Sequence, residues 1–333
     1  IEIARRLAPS EDVTLVGVAG RHRAAPADEW RAPIPVAQLP LVRPLLYEAW
    51  LRLRRPLVEG ATGPVDVAHA TGLVPCATRA PLVVTMHDAA WVHEPGRYTR
   101  QGLRVMRRSL DVTRDTARFV VTSSEASRRD LEACGIEAAR LRVVPLGVDL
   151  APASAPAVAE LRRRYDLPER FVLFVGTLEP RKNLRRLAAA VPRASAALPL
   201  VVAGPKGWGG ATDGIAADVR FLGFVPPADL PALYASATVF AYPSEAEGFG
   251  LPVLEAMSQG APVVTSAGTS TEEVAGGAAV LVDPLDVDAI ADGIDGAVRR
   301  GPELAAAGRH RAATMSWDAA ARRTAAVYAE AAA

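Results

Sequence analysis

Cysteine is almost missing from this 333-residue chain: Cys76 and Cys134 are the only two, too few for a disulfide framework or a cysteine metal site. Lysine is equally scarce, since of 38 basic side chains only Lys182 and Lys206 are not arginine. An excess of one charge is missing too: 38 Lys+Arg against 37 Asp+Glu leave a net +1, so no global field would gather nucleic acid. No apolar run approaches the roughly 18 residues needed to span a bilayer, and nothing laid out as a signal peptide precedes the first structured segment. A cytoplasmic protein is therefore the expectation, with contact to the inner face of a membrane left open. What is present is a half-hydrophobic, 23% charged sequence, the composition of a soluble globular chain long enough for two domains.

One stretch stands out, PSEAEGFGLPVLEAMSQGAPVVT at residues 243–265. The run 237–243 before it is apolar, rich in β-formers and the length of a strand buried on both faces. Pro252 suits the first position of a helix and Gly260 the residue past its last turn, and 262–265 reads as the next strand. Gly248 and Gly250 fall in the loop between. Glycine lets backbone approach a ligand, and a helix start offers unpaired N–H groups at a positive dipole end. Such a place attracts an anion. Glu247, before the loop, and Glu255, expected in the helix's first turn, would be repelled by a bound phosphate and should accept from neutral hydroxyls instead. The implied ligand is a phosphate with polyol on both sides, a sugar nucleotide. Acid placed in a first turn for its dipole alone would look similar at the two glutamates.

Taken whole, PSxxEGFGLPxLEAM with seven residues between Glu247 and Glu255 resembles the EX7E signature of family-4 glycosyltransferases, retaining enzymes of the GT-B fold. The resemblance implies an α/β architecture of two Rossmann-like domains whose parallel sheets face a central cleft. It implies that Glu247 contacts the donor sugar and Glu255 the ribose, with Gly248, Phe249, Gly250 and Leu251 at the donor between them.

A second run, FVLFVGTLEPRKNLRRL, places a buried strand at 171–175, a loop opening at Gly176 and a plausible N-cap at Asn183. Arg181 and Lys182 thus lie at the carboxyl end of a strand, on the same edge as the glutamate loop, where two cations can neutralise two phosphates. Without an anion they would oppose the dipole of the helix they precede. This run is similar to the family's pyrophosphate-binding element, and the resemblance gives Arg181 and Lys182 that role.

The rest of the chain fits around these two runs. Residues 1–10 read as a helix end and 13–19 as a strand, so the N-terminal domain is expected to lack the family's first strand and glycine-rich loop, and this exact chain to be impaired. The helix 41–58 would pack Leu45, Leu46, Ala49, Trp50 and Leu53 on its own sheet, a membrane surface being the alternative. Strand candidates follow at 66–71 and 80–88. The second ends in His87, at the edge where open α/β sheets bind ligands. A lone histidine is more often structural, but the resemblance implies that His87 faces the donor sugar in a catalytic role, with His93 the weaker candidate. An arginine-dense helix over 97–118 is expected to be solvated, with a phosphate-bearing acceptor as the alternative. We set the boundaries at 1–150 for the acceptor-side domain, 151–315 for the nucleotide-sugar domain and 316–333 for a terminal helix crossing back.

In the second domain the resemblance puts the nucleobase beside Phe224 and Val225, largely on backbone. GPKGWGG at 204–210 lacks the spacing of a dinucleotide fingerprint and reads as a loop near the donor. Residues 265–273 read as a polar loop. Asp286-Val287-Asp288 spells a metal-type DxD but opens a helix and looks like a cap, so neither a metal nor a cofactor beyond the donor substrate is expected. The expected reaction moves a hexosyl group from a nucleoside-diphosphate sugar to a hydroxyl of a glycan, lipid-linked or small-molecule acceptor, the basic pair and the helix start stabilising the leaving diphosphate. GTLEPRKN and MHD are similar to bacterial mannosyl- or rhamnosyltransferases of polysaccharide assembly, which favours a GDP-linked donor. A GT-B-like epimerase or phosphorylase and a non-catalytic nucleotide-sugar-binding protein are the alternatives.

Overall fold

Every strand ladder among the described residues is parallel. Parallel neighbours need long crossovers, and the amphipathic helices between the valine-rich runs supply them. A computed structural model describes residues 1–10, 12–24, 31–215 and 219–333, with backbone alone at position 97. These divide into two units, Ile1–Leu146 with Trp317–Ala333, and Gly147–Ser316.

The first unit runs α1 (Glu2–Leu7), β1 (Gly17–Gly20), β2 (Val36–Leu39), α2 (Arg43–Leu53), α3 (Glu59–Thr62), β3 (Ala68–Ala70) and β4 (Leu82–Thr85). It continues with α4 (Ala90–His93), α5 (Arg100–Thr116), β5 (Ala117–Thr122), α6 (Glu125–Ala133) and β6 (Leu141–Val143). Its strands form two ladders, β1-β2 and β3-β4-β5-β6. The larger sheet is buried on both faces. Val84 and Val120 point into a core with Leu46, Trp50, Leu110 and Leu131, whereas Val83, Phe119 and Val121 pack under Ala320, Val327 and Ala331 of the C-terminal helix Trp317–Ala332.

Two expectations for this unit change. Helix α2 stops at Arg54, which takes a left-handed φ of 51°, and it buries Leu46, Trp50 and Leu51. Leu45 and Leu53 are 60% and 72% exposed, on the side away from the core. The arginine-dense helix starts later than expected: Pro95–Arg97 is a separate 3-10 turn, and Thr99 caps α5 by accepting from Gly102 N.

The second unit runs α7 (Ala155–Arg164), β7 (Val172–Val175), α8 (Leu184–Ala190), β8 (Leu200–Ala203), β9 (Arg220–Gly223), α9 (Leu230–Ser236) and β10 (Val239–Tyr242). After these come α10 (Leu251–Ser258), β11 (Val263–Ser266), α11 (Ser270–Ala275), β12 (Val280–Val282), α12 (Val287–Arg299) and α13 (Gly301–Ala313), before the C-terminal helix, α14. Its sheet order, β12-β11-β10-β7-β8-β9, reverses direction between β7 and β10, the pattern of a doubly wound sheet. Strands β7, β8, β10 and β11 are buried throughout, the first three as their unbroken apolar runs require and β11 with Thr265 and Ser266 hydrogen-bonded. The switch point between β7 and β10 is where such sheets bind ligands, and both strands end in the two runs singled out above. Among the described residues no helix is long and apolar enough to cross a membrane.

Candidate active site

Strand β10 alternates its side chains, so Phe240 and Tyr242 share a face, their rings 5.8 Å apart, and Phe174 of β7 stacks 5.7 Å from Tyr242. This packing carries the Tyr242 hydroxyl to the carboxyl edge of the sheet. There the loops after β7 and β10 are stitched together. Glu245 N donates to Arg181 O at 2.8 Å, Arg181 Nη1 to Ala246 O at 2.7 Å, and Asn183 Nδ2 to Pro243 O at 2.9 Å. Asn183 stands at the start of α8 in a left-handed conformation (φ 60°), but its side chain does not cap that helix, because it is spent joining the loops.

The structure thus brings Arg181, Lys182 and Glu247 to one place. It does not leave the cations free. Glu247 Oε2 lies 2.7 Å from Arg181 Nη1 and Oε1 lies 3.0 Å from Lys182 Nζ. The same Oε1 accepts from Tyr242 OH at 2.8 Å and from Ser244 Oγ at 2.8 Å, while Lys182 donates to the Tyr242 hydroxyl. On the other side Glu179 Oε1 sits 2.7 Å from Arg181 Nη2 and 3.9 Å from Lys182 Nζ. Two carboxylates therefore face two cations, and the anion expected beside the basic pair is already present within the chain. Burial alone would push Glu247 up, but the charges of Lys182 and Arg181 outweigh it and hold the carboxyl below its usual range. Burial likewise works to lower Arg181, and Glu247 and then Glu179 raise it instead. The expectation that Glu247 accepts only from neutral hydroxyls is corrected accordingly: two of its four donors are charged.

Gly250 opens α10 with φ 108°, and a Cβ there would lie 2.8 Å from Thr271 Cγ2, so glycine is required on both counts. Leu251 is the first helical residue and Pro252 the second, one position later than read from the sequence. Glu255 consequently falls in the second turn. It touches neither cation; its Oε2 accepts from Tyr234 OH at 2.8 Å, and burial raises its pKa, that hydrogen bond opposing the rise. Phe249 is buried at 5%, and the Glu247 carbonyl accepts from Ser270 Oγ at 2.7 Å. At Gly176 a Cβ would stand 3.1 Å from Lys182 Cδ, so the missing side chain lets the lysine stem pass.

The remaining candidates lie elsewhere. Phe224 is 64% exposed and Val225 buried, just beyond edge strand β9. His87 belongs to the first unit, two residues past β4, where its carbonyl accepts from Ser127 Oγ at 2.9 Å. Its protein surroundings lower the imidazole pKa and Asp88 opposes this, but the side chain is exposed, so solvent discounts the effect. The segment read as a polar loop after β11 contains helix α11, and its hydroxyls are buried by pairing: Ser266 Oγ donates to Ser244 O at 2.6 Å and Thr265 Oγ1 to Thr271 Oγ1 at 2.8 Å. Asp286 caps α12, accepting from Asp288 N and Ala289 N. Glu179, Tyr242, Ser244 and Tyr234 were not singled out from the sequence. The position of Glu179 two residues before Arg181 was the one signal that could have flagged it.

Two family models match successive parts of the chain. A family model described as Glycosyltransferase Family 4 matches residues 1–152, and one described as Glycosyl transferases group 1 matches residues 169–299. The O-antigen chain mannosyltransferase B of Escherichia coli is 38% identical over 226 residues, covering 62% of this chain and 58% of the relative. D-inositol 3-phosphate glycosyltransferase of Thermomonospora curvata is 34% identical over 286 residues, covering 74% of this chain and 65% of the relative. The chain spans less than two thirds of either. The crystal structure of HepE from Anabaena in complex with UDP and glucose has a TM-score of 0.70 at 21% identity, covering 90% of this chain and 86% of that one, a likeness of fold.

Proposed function

The chain belongs to the family-4 glycosyltransferases and has their GT-B fold, and from that premise we propose that it moves a hexosyl group from a nucleoside-diphosphate sugar to a hydroxyl of a glycan, lipid-linked or small-molecule acceptor. The observation that carries the reading is the cluster of Arg181, Lys182 and Glu247 at the switch point of the second sheet, beside the start of α10.

In this reading the diphosphate lies between the basic pair and the helix mouth. Pro252 has no N–H, and the amides of Val253 and Leu254 turn back to Gly250 O, so Gly250 and Leu251 are the amides a phosphate would use. As the glycosidic bond breaks, charge grows on the diphosphate, and groups already held in place stabilise it without reorganising. No metal is needed for that step. Glu247 gives up part of its ion pairing and accepts from a hydroxyl of the donor sugar. Glu255 accepts from the ribose, and the backbone at Phe224 and Val225 meets the base. The transfer retains anomeric configuration. A mannosyl group is favoured by the Escherichia coli relative, which is named a mannosyltransferase, and the resemblance of GTLEPRKN and MHD favours its GDP-linked form.

The working location is the cytoplasm, at the inner face of a membrane. Leu45 and Leu53 are exposed on α2, and arginine-rich α5 packs on that helix through Arg104 and Glu48 at 3.1 Å, which supports contact with an anionic bilayer. Incubating the chain with labelled GDP-mannose, UDP-glucose and other donors tests the proposal. Transfer to an added acceptor supports it; interconversion of the donor, or binding without transfer, contradicts it.

A further inference from the structure

Glu179 is buried, charged and unused by the mechanism above. It stands two residues before the basic pair, at the start of the 3-10 turn Pro180–Lys182 that carries both cations, and its Oε1 lies 2.7 Å from Arg181 and 3.9 Å from Lys182. With its side chain 7% exposed, water does little to screen it. Glu247 reaches the cations from the other loop, the one after β10. Glu179 stays bound to the same turn as the cations.

We propose that Glu179 is an internal counter-ion that competes with the diphosphate for Arg181 and Lys182, and so sets how readily the nucleoside-diphosphate product leaves. The inference rests on the donor-site reading given above. Its physical basis is a charge balance. Two cations against two carboxylates give a neutral cluster, so an arriving diphosphate meets attraction from the basic pair and repulsion from Glu179. A free nucleoside diphosphate carries more negative charge than the sugar-linked donor, so the repulsion falls harder on the product. Glu179 is thus a positioning residue that favours donor over product.

The test is calorimetric binding of GDP, UDP and inorganic pyrophosphate to the chain, without metal, for the parent, Glu179→Gln and Glu179→Asp. Removing the charge should tighten pyrophosphate and the preferred nucleoside diphosphate at least tenfold, about 1.4 kcal/mol, and lower the donor KM by a smaller factor. Aspartate keeps the charge but withdraws it from Arg181, and should tighten binding about threefold, which preserves the test if the glutamine variant does not fold. Unchanged or weaker binding in either folded variant overturns the inference and leaves Glu179 as a brace for Arg181. Should the parent bind none of the three probes, the donor-site reading itself fails.

Discussion

Replacing Glu247 by glutamine keeps its shape and removes its charge, and the structure lets two consequences be separated. The carboxylate accepts from Arg181 at 2.7 Å, Lys182 at 3.0 Å, Tyr242 at 2.8 Å and Ser244 at 2.8 Å. Breaking a buried pair by removing one charge costs about 3–5 kcal/mol, because the partner is left uncompensated. Here Glu179 remains beside Arg181 and the Tyr242 hydroxyl beside Lys182, so the lower figure applies, about 3 kcal/mol. For units of this size that lowers Tm by roughly 6–12 °C. Catalysis loses one charge-assisted hydrogen bond to the donor sugar, about 1.5–3 kcal/mol, or roughly 10- to 150-fold in kcat/KM. Nucleoside-diphosphate binding should hold or tighten, since the basic pair has lost a competitor. Thermal melts fix the temperature at which the variant is folded, and initial rates with saturating acceptor are then measured below it. A folded variant whose kcat/KM stays within about twofold of the parent would refute the reasoning, because no transfer step could then depend on that carboxylate.

Other expectations follow from the same contacts. Tyr242→Phe removes the hydroxyl shared by Lys182 and Glu247 and leaves both short of a partner; we expect a loss of about 1–3 kcal/mol in stability and a raised donor KM, read by denaturant melts and steady-state kinetics. His69 donates or accepts at both ring nitrogens, to Tyr328 OH at 2.6 Å and Thr85 Oγ1 at 2.7 Å, and burial lowers its pKa to about 4, His87 adding to the effect. Because the folded pKa lies below the unfolded one, this stability is complete above about pH 6.5 and falls as pH drops towards about 4, by about 3 kcal/mol in all. Melts across that range should show the decline in the parent and a flatter one in His69→Gln; equal slopes would contradict it. On vesicles containing anionic lipid, Leu45→Ser with Leu53→Ser should weaken sedimentation about tenfold without changing Tm, each leucine being exposed; unchanged sedimentation removes the membrane contact.

Much of the second unit was legible because its signals are local. Four-residue apolar runs ending in Gly176 and in Pro243 mark strands of a parallel sheet, and residues following such strands share one edge, which is enough to bring Arg181, Lys182 and Glu247 together. What was not legible depends on neighbours. The periodicity of α2 allows several faces, and only packing against the sheet and α5 chose Leu51 over Leu53. Residues 265–273 looked like a loop because serine and threonine favour loops, yet their hydroxyls satisfy one another and nearby carbonyls, so Thr265, Ser266, Ser270 and Thr271 are buried. Glu179 and Tyr242 carry no period or motif of their own, and their importance lies in which atoms they meet. The position of Glu255 shifted by a turn boundary, since Gly250 starts the helix sooner than Pro252 suggested.

The central claim is that Arg181, Lys182 and the opening of α10 grip the diphosphate of a sugar nucleotide. A crystal structure of the chain soaked with GDP, or with UDP if that binds more tightly, tests it directly. Phosphate oxygens within hydrogen-bond reach of Lys182 Nζ, the Arg181 guanidinium and the Gly250 or Leu251 amide are the predicted result. A diphosphate bound away from that edge, with the Glu247 ion pairs intact, would contradict the account.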